Sequence, residues 1–334
     1  MLPFNELQRK ANARYYKKKG SAIYEDFSTF AKSGTLSRAN SLEFHAHISA
    51  LERAEGEQSE LRICEFGIGD GSFCKSFLSE LSKLDKKHKT DYSKRVHYSL
   101  FDISPKMLAS AKKTLSSFSN LEFIEADACE PIPYFKKAHY VRMNELYTDL
   151  PTRILARKGE SLCEVLYEMH GNQLQTSLKP ISKLGEEEKL ALLFLQRLPE
   201  LYFIPFNNSA AAHVLQLAKI CSSKLNSYAD IFDYGFISAE EILEMPREMW
   251  NSSIVREYGT QLTTDLNFPY LASFARAGSF EVEFETQRAY VERILGKKLQ
   301  ASEKKNALAY TKKTRAFEES DDFVHMRLSA PKAK

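Results

Sequence analysis

Glu65-Phe66-Gly67-Ile68-Gly69-Asp70-Gly71 places an acid two residues before the first of three alternating glycines, directly after the apolar run Leu61-Arg62-Ile63-Cys64. From Ser72 to Leu78 an apolar pattern of helical period begins. Glycine lets a backbone turn sharply and approach a ligand closely, because no Cβ intervenes. A helix starting there would aim its free N–H groups at the same place. Such a strand–turn–helix unit suits a nucleotide-type cofactor, and two cofactors compete for it. A dinucleotide fingerprint asks for its third glycine where Ser72 stands. Glu65 also suits a cation better than a pyrophosphate. S-adenosylmethionine carries an ammonium, a sulfonium and no phosphate, so it fits this turn better than NAD does. A glycine turn that binds nothing would leave Glu65 unexplained. Glu65, Gly67, Gly69 and Gly71 are therefore assigned to the cofactor.

Two further acids stand where strands should end. Asp102 follows Val96-His97-Tyr98-Ser99-Leu100-Phe101, and a carboxylate there can accept both ribose hydroxyls. Asp127 closes Leu121-Glu122-Phe123-Ile124-Glu125-Ala126, near the expected adenine. Each alone could equally cap a helix; their joint spacing after Glu65 favours a ligand. The run Asn144-Glu145-Leu146-Tyr147-Thr148-Asp149-Leu150-Pro151 then brings one amide and two carboxylates to the same edge. Methyl transfer is an in-line displacement that mainly needs positioning and the right protonation state. Two carboxylates can grip a guanidinium fork and disperse its charge, which makes Glu145, Asp149 and Asn144 the candidate catalytic residues. The competing explanation is that Asn144 and Asp149 merely shape the turns around Pro151. No N-P-P-Y site of amide alkylation is present.

The elements that position these residues follow from hydrophobic period. Strands at 61–66, 96–102, 121–127 and 138–143 alternate with helical patterns, one of them opening on Ser104-Pro105. This predicts an α/β fold with a doubly wound, mostly parallel sheet. Leu162, Val165, Leu166 and Met169, then Leu190, Leu192, Leu193, Leu195 and Leu198, read as helices over 151–228. That segment is too long for a loop and is expected to be an inserted helical subdomain carrying substrate. Residues 1–60 form an N-terminal helical region; 61–150 and 229–330 form the Rossmann-like cofactor domain. A fifth strand is expected at 231–236, and two period-two runs, 280–286 and 323–328, as an antiparallel edge.

Composition bounds the rest. The 334 residues carry a formal charge of +3 and are 43% hydrophobic, ordinary for a globular chain. Residues 1–24 hold six bases against one acid, Glu6, so this arm could touch nucleic acid or an acidic partner; a solvated helix face is the favoured reading. A chain-wide basic surface is absent, which argues against a nucleic-acid partner. No run is long enough to span a bilayer, and no signal-peptide core stands near Met1. Five scattered cysteines without a C-x-x-C pair suggest reduced thiols and no metal site. His45 and His47 read as helix-packing histidines. A cytoplasmic location is expected, or the mitochondrial matrix for a eukaryotic chain.

Taken with Asp233-Tyr234-Gly235, Arg256-Glu257-Tyr258, Leu262-Thr263-Thr264-Asp265-Leu266-Asn267-Phe268 and Gln287, the segments above occur in an order that resembles the MidA family, over about residues 20–300. Asp26-Phe27-Ser28-Thr29 is similar to that family's G-D-F-x-T stretch, with Glu25 in place of the glycine. The resemblance implies a class I methyltransferase fold using S-adenosyl-L-methionine. For the mitochondrial member it implies symmetric dimethylation of an arginine on a respiratory-complex subunit. Three departures stand out: Asp102 where glutamate is more frequent, Tyr147-Thr148 where Phe-Asp is usual, and Asp149 in place of a small residue. The expected function is methylation of arginine on a protein. The alternatives are methylation of RNA or a small molecule, or an assembly chaperone that keeps the cofactor pocket without catalysis.

Overall fold

The computed structural model describes residues 1–25, 34–133, 136–170, 173–299 and 323–331; Asp26-Phe27-Ser28-Thr29 and the 302–322 connection lie outside them. Its main sheet runs in the order Glu281–Thr286, Phe323–Ser329, Tyr228–Phe236, Tyr140–Asn144, Leu61–Phe66, Val96–Asp102, Leu121–Glu125. The last five of these pair in parallel. Phe323–Ser329 pairs antiparallel with both of its neighbours, as the alternating patterns predict. Because both faces of a parallel sheet must be covered, two apolar layers flank it. One joins Ile63, Tyr98 and Leu100 to Phe44, Ile48 and Phe77 of helices Thr35–Glu55 and Ser72–His88. The other joins Phe66, Val141 and Ile231 to Ala210, Val214 and Leu271 of helices Asn208–Leu217 and Phe268–Ala277.

The expected helical subdomain at 151–228 is corrected by a second sheet. Strands Arg153–Lys158, Ser161–His170, Gln173–Pro180 and Ile204–Phe206 form antiparallel pairs, and Leu2–Pro3 adds to Ser161–His170. Helices Glu186–Leu195 and Asn208–Leu217 supply the helical part. Leu162, Val165 and Leu166 happen to fall at helical spacing, yet Cys163, Val165 and Tyr167 are buried at every second position, as on one face of a strand, with Leu162 buried on the other. The sequence did carry a hairpin signal there. Lys158 pairs with Ser161 across Gly159-Glu160, with Gly159 at φ 57°, a two-residue turn with glycine at its first central position.

The N-terminal arm is the helix Phe4–Lys19. Its Arg9, Lys10, Arg14 and Lys18 face solvent, while Phe4, Gln8, Asn12 and Tyr15 are buried. His45 and His47 pack within the fold, their rings against Tyr92 and Tyr228. No described helix is long and apolar enough to cross a membrane.

Strand Tyr228–Phe236 runs close against Leu266 at Gly235. A Cβ on Gly235 would overlap the backbone of Leu266, with its nitrogen 2.7 Å away. Gly235→Ala is therefore expected to cost about 3 kcal/mol, read as a lower denaturant midpoint with an unchanged slope.

Candidate functional site

A cavity of about 700 Å³ opens beyond the carboxyl ends of the parallel strands, where sheets of this type bind ligands. Glu65, Gly67, Gly69, Asp102, Asp127, Asn144, Glu145 and Asp149 all line it. Gly71 does not. It caps helix Ser72–His88 at φ 78°, and a Cβ there would press on Ala111 at 3.2 Å, so it serves close helix packing.

The glycine turn is fastened to the neighbouring strand. Gly67 N–H donates to Phe101 O at 2.8 Å, and Gly69 N–H to Asp102 Oδ2 at 3.3 Å. Asp102 Oδ1 accepts from Ser104 N–H at 2.8 Å. Each oxygen thus keeps acceptor capacity, as ribose hydroxyls require. Burial pushes Asp102 up to about 6, against these two backbone donors. Asp127 Oδ1 accepts from Cys129 N–H at 2.8 Å, and its carboxylate also meets the Cys129 thiol, with acceptor capacity left for a ligand donor. Ile103 lines the cavity while half exposed, an apolar face suited to a flat base. These residues fit the adenosine half of S-adenosylmethionine.

Glu65 is engaged differently from the expectation. Its Oε1 accepts from Arg142 Nη1 at 2.7 Å and its Oε2 from the Tyr98 hydroxyl at 2.9 Å, so its charge is matched inside the protein. Sequence reasoning missed Arg142, which sits opposite Glu65 on the adjacent strand and lies over the Phe73 ring. Arg142 Nη2 donates to Asn144 Oδ1 at 3.0 Å, and Asn144 Nδ2 to Glu145 Oε1 at 3.0 Å. A polar chain thus links the glycine turn to the candidate catalytic residues.

The 144–151 turn is pinned from below by Asp233, which accepts from Tyr147 N–H at 3.0 Å and the Thr148 hydroxyl at 2.9 Å. Burial, aided by the Glu145 charge, holds Asp233 well above the usual carboxylate range. Glu145 itself sits at φ 50°, a left-handed conformation uncommon outside glycine. Asp149 accepts from the Tyr16 hydroxyl and from Gln261 Nε2. Gln261 Oε1 is buried without a hydrogen-bond partner among the described residues, a cost of about 1–3 kcal/mol. Thr264 and Asp265 stay outside the cavity lining: Asp265 pairs with Arg256 at 2.5 Å, and Asn267 caps helix Phe268–Ala277.

The N-terminal helix was the other omission. Gln8, Asn12 and Tyr16 fall at fourfold spacing on one face. Gln8 and Asn12 bond the main chain of Thr148, Asp149 and Leu262, and Asn12 and Tyr16 line the cavity. A polar stripe at helical period beside the buried Phe4 and Tyr15 was the available signal.

Two measurements test this geometry. A Cβ on Gly67, at φ 71°, would meet Leu146 Cδ1 at 3.3 Å. Gly67→Val combines a left-handed β-branched residue with displacement of the 144–151 turn, and should weaken S-adenosylhomocysteine binding about tenfold or more in calorimetry. For Asp102, hydroxyl donors favour the ionised form, so ligand binding lowers its pKa and releases a proton. Affinity should be flat above about pH 7 and fall as pH drops through about 6, while Asp102→Asn binds more weakly and loses that dependence.

Comparison with known proteins agrees with the cofactor. A family model described as "Putative S-adenosyl-L-methionine-dependent methyltransferase" matches residues 45–285. A Burkholderia thailandensis protein whose crystal structure holds S-adenosylhomocysteine superposes with a TM-score of 0.68 at 17% identity, over 98% of this chain and 87% of its own. A native crystal structure of an uncharacterized protein from the same organism superposes with a TM-score of 0.66 at 18% identity, over the same shares. At these identities the likeness is one of fold. No curated protein matches the chain. Residues 45–285 take in the glycine turn, Asp102 and the 144–151 turn, and the chain belongs to this family of S-adenosylmethionine-dependent methyltransferases.

Proposed function

We propose that the chain N-methylates arginine on a protein substrate, as its resemblance to the MidA family implies. The observation that carries this reading is the acceptor-rich wall formed by Glu145 and Asp149, on one turn, at the edge of the cofactor cavity. A guanidinium has five N–H donors and no acceptor, so it matches such a wall. The left-handed backbone of Glu145 costs about 1–3 kcal/mol, a strain typical of a residue placed for a task. Once bound, S-adenosylmethionine supplies an electrophilic methyl group. Glu145 and Asp149 then orient one guanidinium nitrogen and stabilise its charge, while Asn144 fixes the Glu145 carboxylate through its amide. By the same resemblance, a respiratory-complex subunit is the first substrate to try.

The test is transfer of labelled methyl from S-adenosylmethionine into cell extract, followed by acid hydrolysis of the protein. Methylarginine is the expected product; label confined to ribonuclease-sensitive material, or no transfer at all, overturns the proposal. Glu145→Gln should reduce turnover on the order of 100-fold or more while leaving S-adenosylhomocysteine affinity unchanged.

A further inference from the structure

Asp149 is held by two elements remote from it in the chain. Tyr16, on helix Phe4–Lys19, donates its hydroxyl to Oδ2. Gln261, on the hairpin formed by Val255–Tyr258 and Gln261–Thr264, places Nε2 2.6 Å from Oδ1 and 3.1 Å from the Tyr16 oxygen. All three side chains line the cavity. A carboxylate offers about four lone-pair sites, so one donor on each oxygen leaves both able to accept from a ligand. The amide can face only one way: turned round, its own oxygen would press against a carboxylate oxygen. Gln261 keeps this orientation although its Oε1 is then buried without a hydrogen-bond partner among the described residues.

We infer that Tyr16 and Gln261 are positioning residues for Asp149, holding its carboxylate ionised and aimed at the cationic side chain of the substrate. The inference rests on the arginine reading only for what Asp149 grips. The titratable groups facing Asp149 are Glu145 on its own turn, Asp233 and Tyr234 on strand Tyr228–Phe236, and Tyr258 on the hairpin. Asp102 bears on Tyr16 from across the cavity. These are acids and phenols. Arg256, over the Tyr234 ring, pairs with Asp265 at 2.5 Å. Burial raises Asp149 to about 6, and the Tyr16 and Gln261 bonds pull against that rise. Deleting either donor should move the carboxylate toward its neutral form.

Tyr16→Phe and Gln261→Leu each remove one donor. Carbon NMR of the full chain labelled in its aspartate carboxyls, with Asp149→Asn to assign the resonance, reads the titration without any substrate. Each variant should shift the Asp149 midpoint upward by about one pH unit, with S-adenosylhomocysteine affinity near that of the parent. A midpoint unchanged in both overturns the inference. Gln261→Leu, which loses no ring packing, carries the measurement if Tyr16→Phe does not fold. A blocked arginine amide serves as the acceptor probe. It should perturb the Asp149 resonance of the parent, lose that effect in the variants near about pH 6.5, and regain it near about pH 8.5, where the carboxylate ionises again. A structural defect would not be rescued by pH. Shifted midpoints with no response to the probe in the parent leave the positioning role standing and overturn the arginine reading instead.

Discussion

A guanidinium buried at the middle of the sheet constrains most of what surrounds it. Arg142 is fully enclosed, and three neighbours answer it: the Glu65 carboxylate, the Asn144 amide oxygen and the Phe73 ring. Removing one partner of a buried ion pair typically costs about 3–5 kcal/mol, because the other charge is left uncompensated. Glu65 must therefore be an acid for a reason internal to the fold, whatever occupies the cavity. The same cation ties the strand before the glycine turn to the strand before the 144–151 turn. The glycine turn and the 144–151 turn are thereby held in one register, since Glu65 and Arg142 are direct partners across the ladder.

The parallel sheet was legible because its signals are local. Alternation of strand and helix, glycines at the turn and acids at strand ends all lie within a few residues of one another. The accessory sheet was not, because Leu162, Val165 and Leu166 satisfy a helical template, although Cys163, Val165 and Tyr167 bury as one face of a strand. The apolar Leu162 and Leu166 on the opposite face blur the alternation that would have told the two apart.

The candidate site was legible in the same measure. Carboxylates and the amide stand out by type and position, and eight of the nine expected residues line one cavity. What orients them does not stand out. Tyr16 and Gln261 lie 133 and 112 residues from Asp149, and nothing in either neighbourhood points to it. Arg142, inside an apolar strand, is visible only once Glu65 is placed beside it. Acids that line the cavity can be found by local pattern, whereas the groups that hold those acids are tertiary.

The N-terminal helix gives this arrangement a kinetic meaning. Asn12 bridges Asp149 and Leu262, so one wall of the cavity is built from contacts spanning as many as 250 residues. Contacts of such sequence separation carry a large loop-closure cost and tend to form late. A nascent chain that has completed its parallel strands still lacks this wall until its first helix docks on the 255–264 hairpin. Ligand that binds only the finished cavity then draws its stabilisation from the fully assembled state alone. Cellular cofactor supply would in that way bear on how much of the chain survives to maturity.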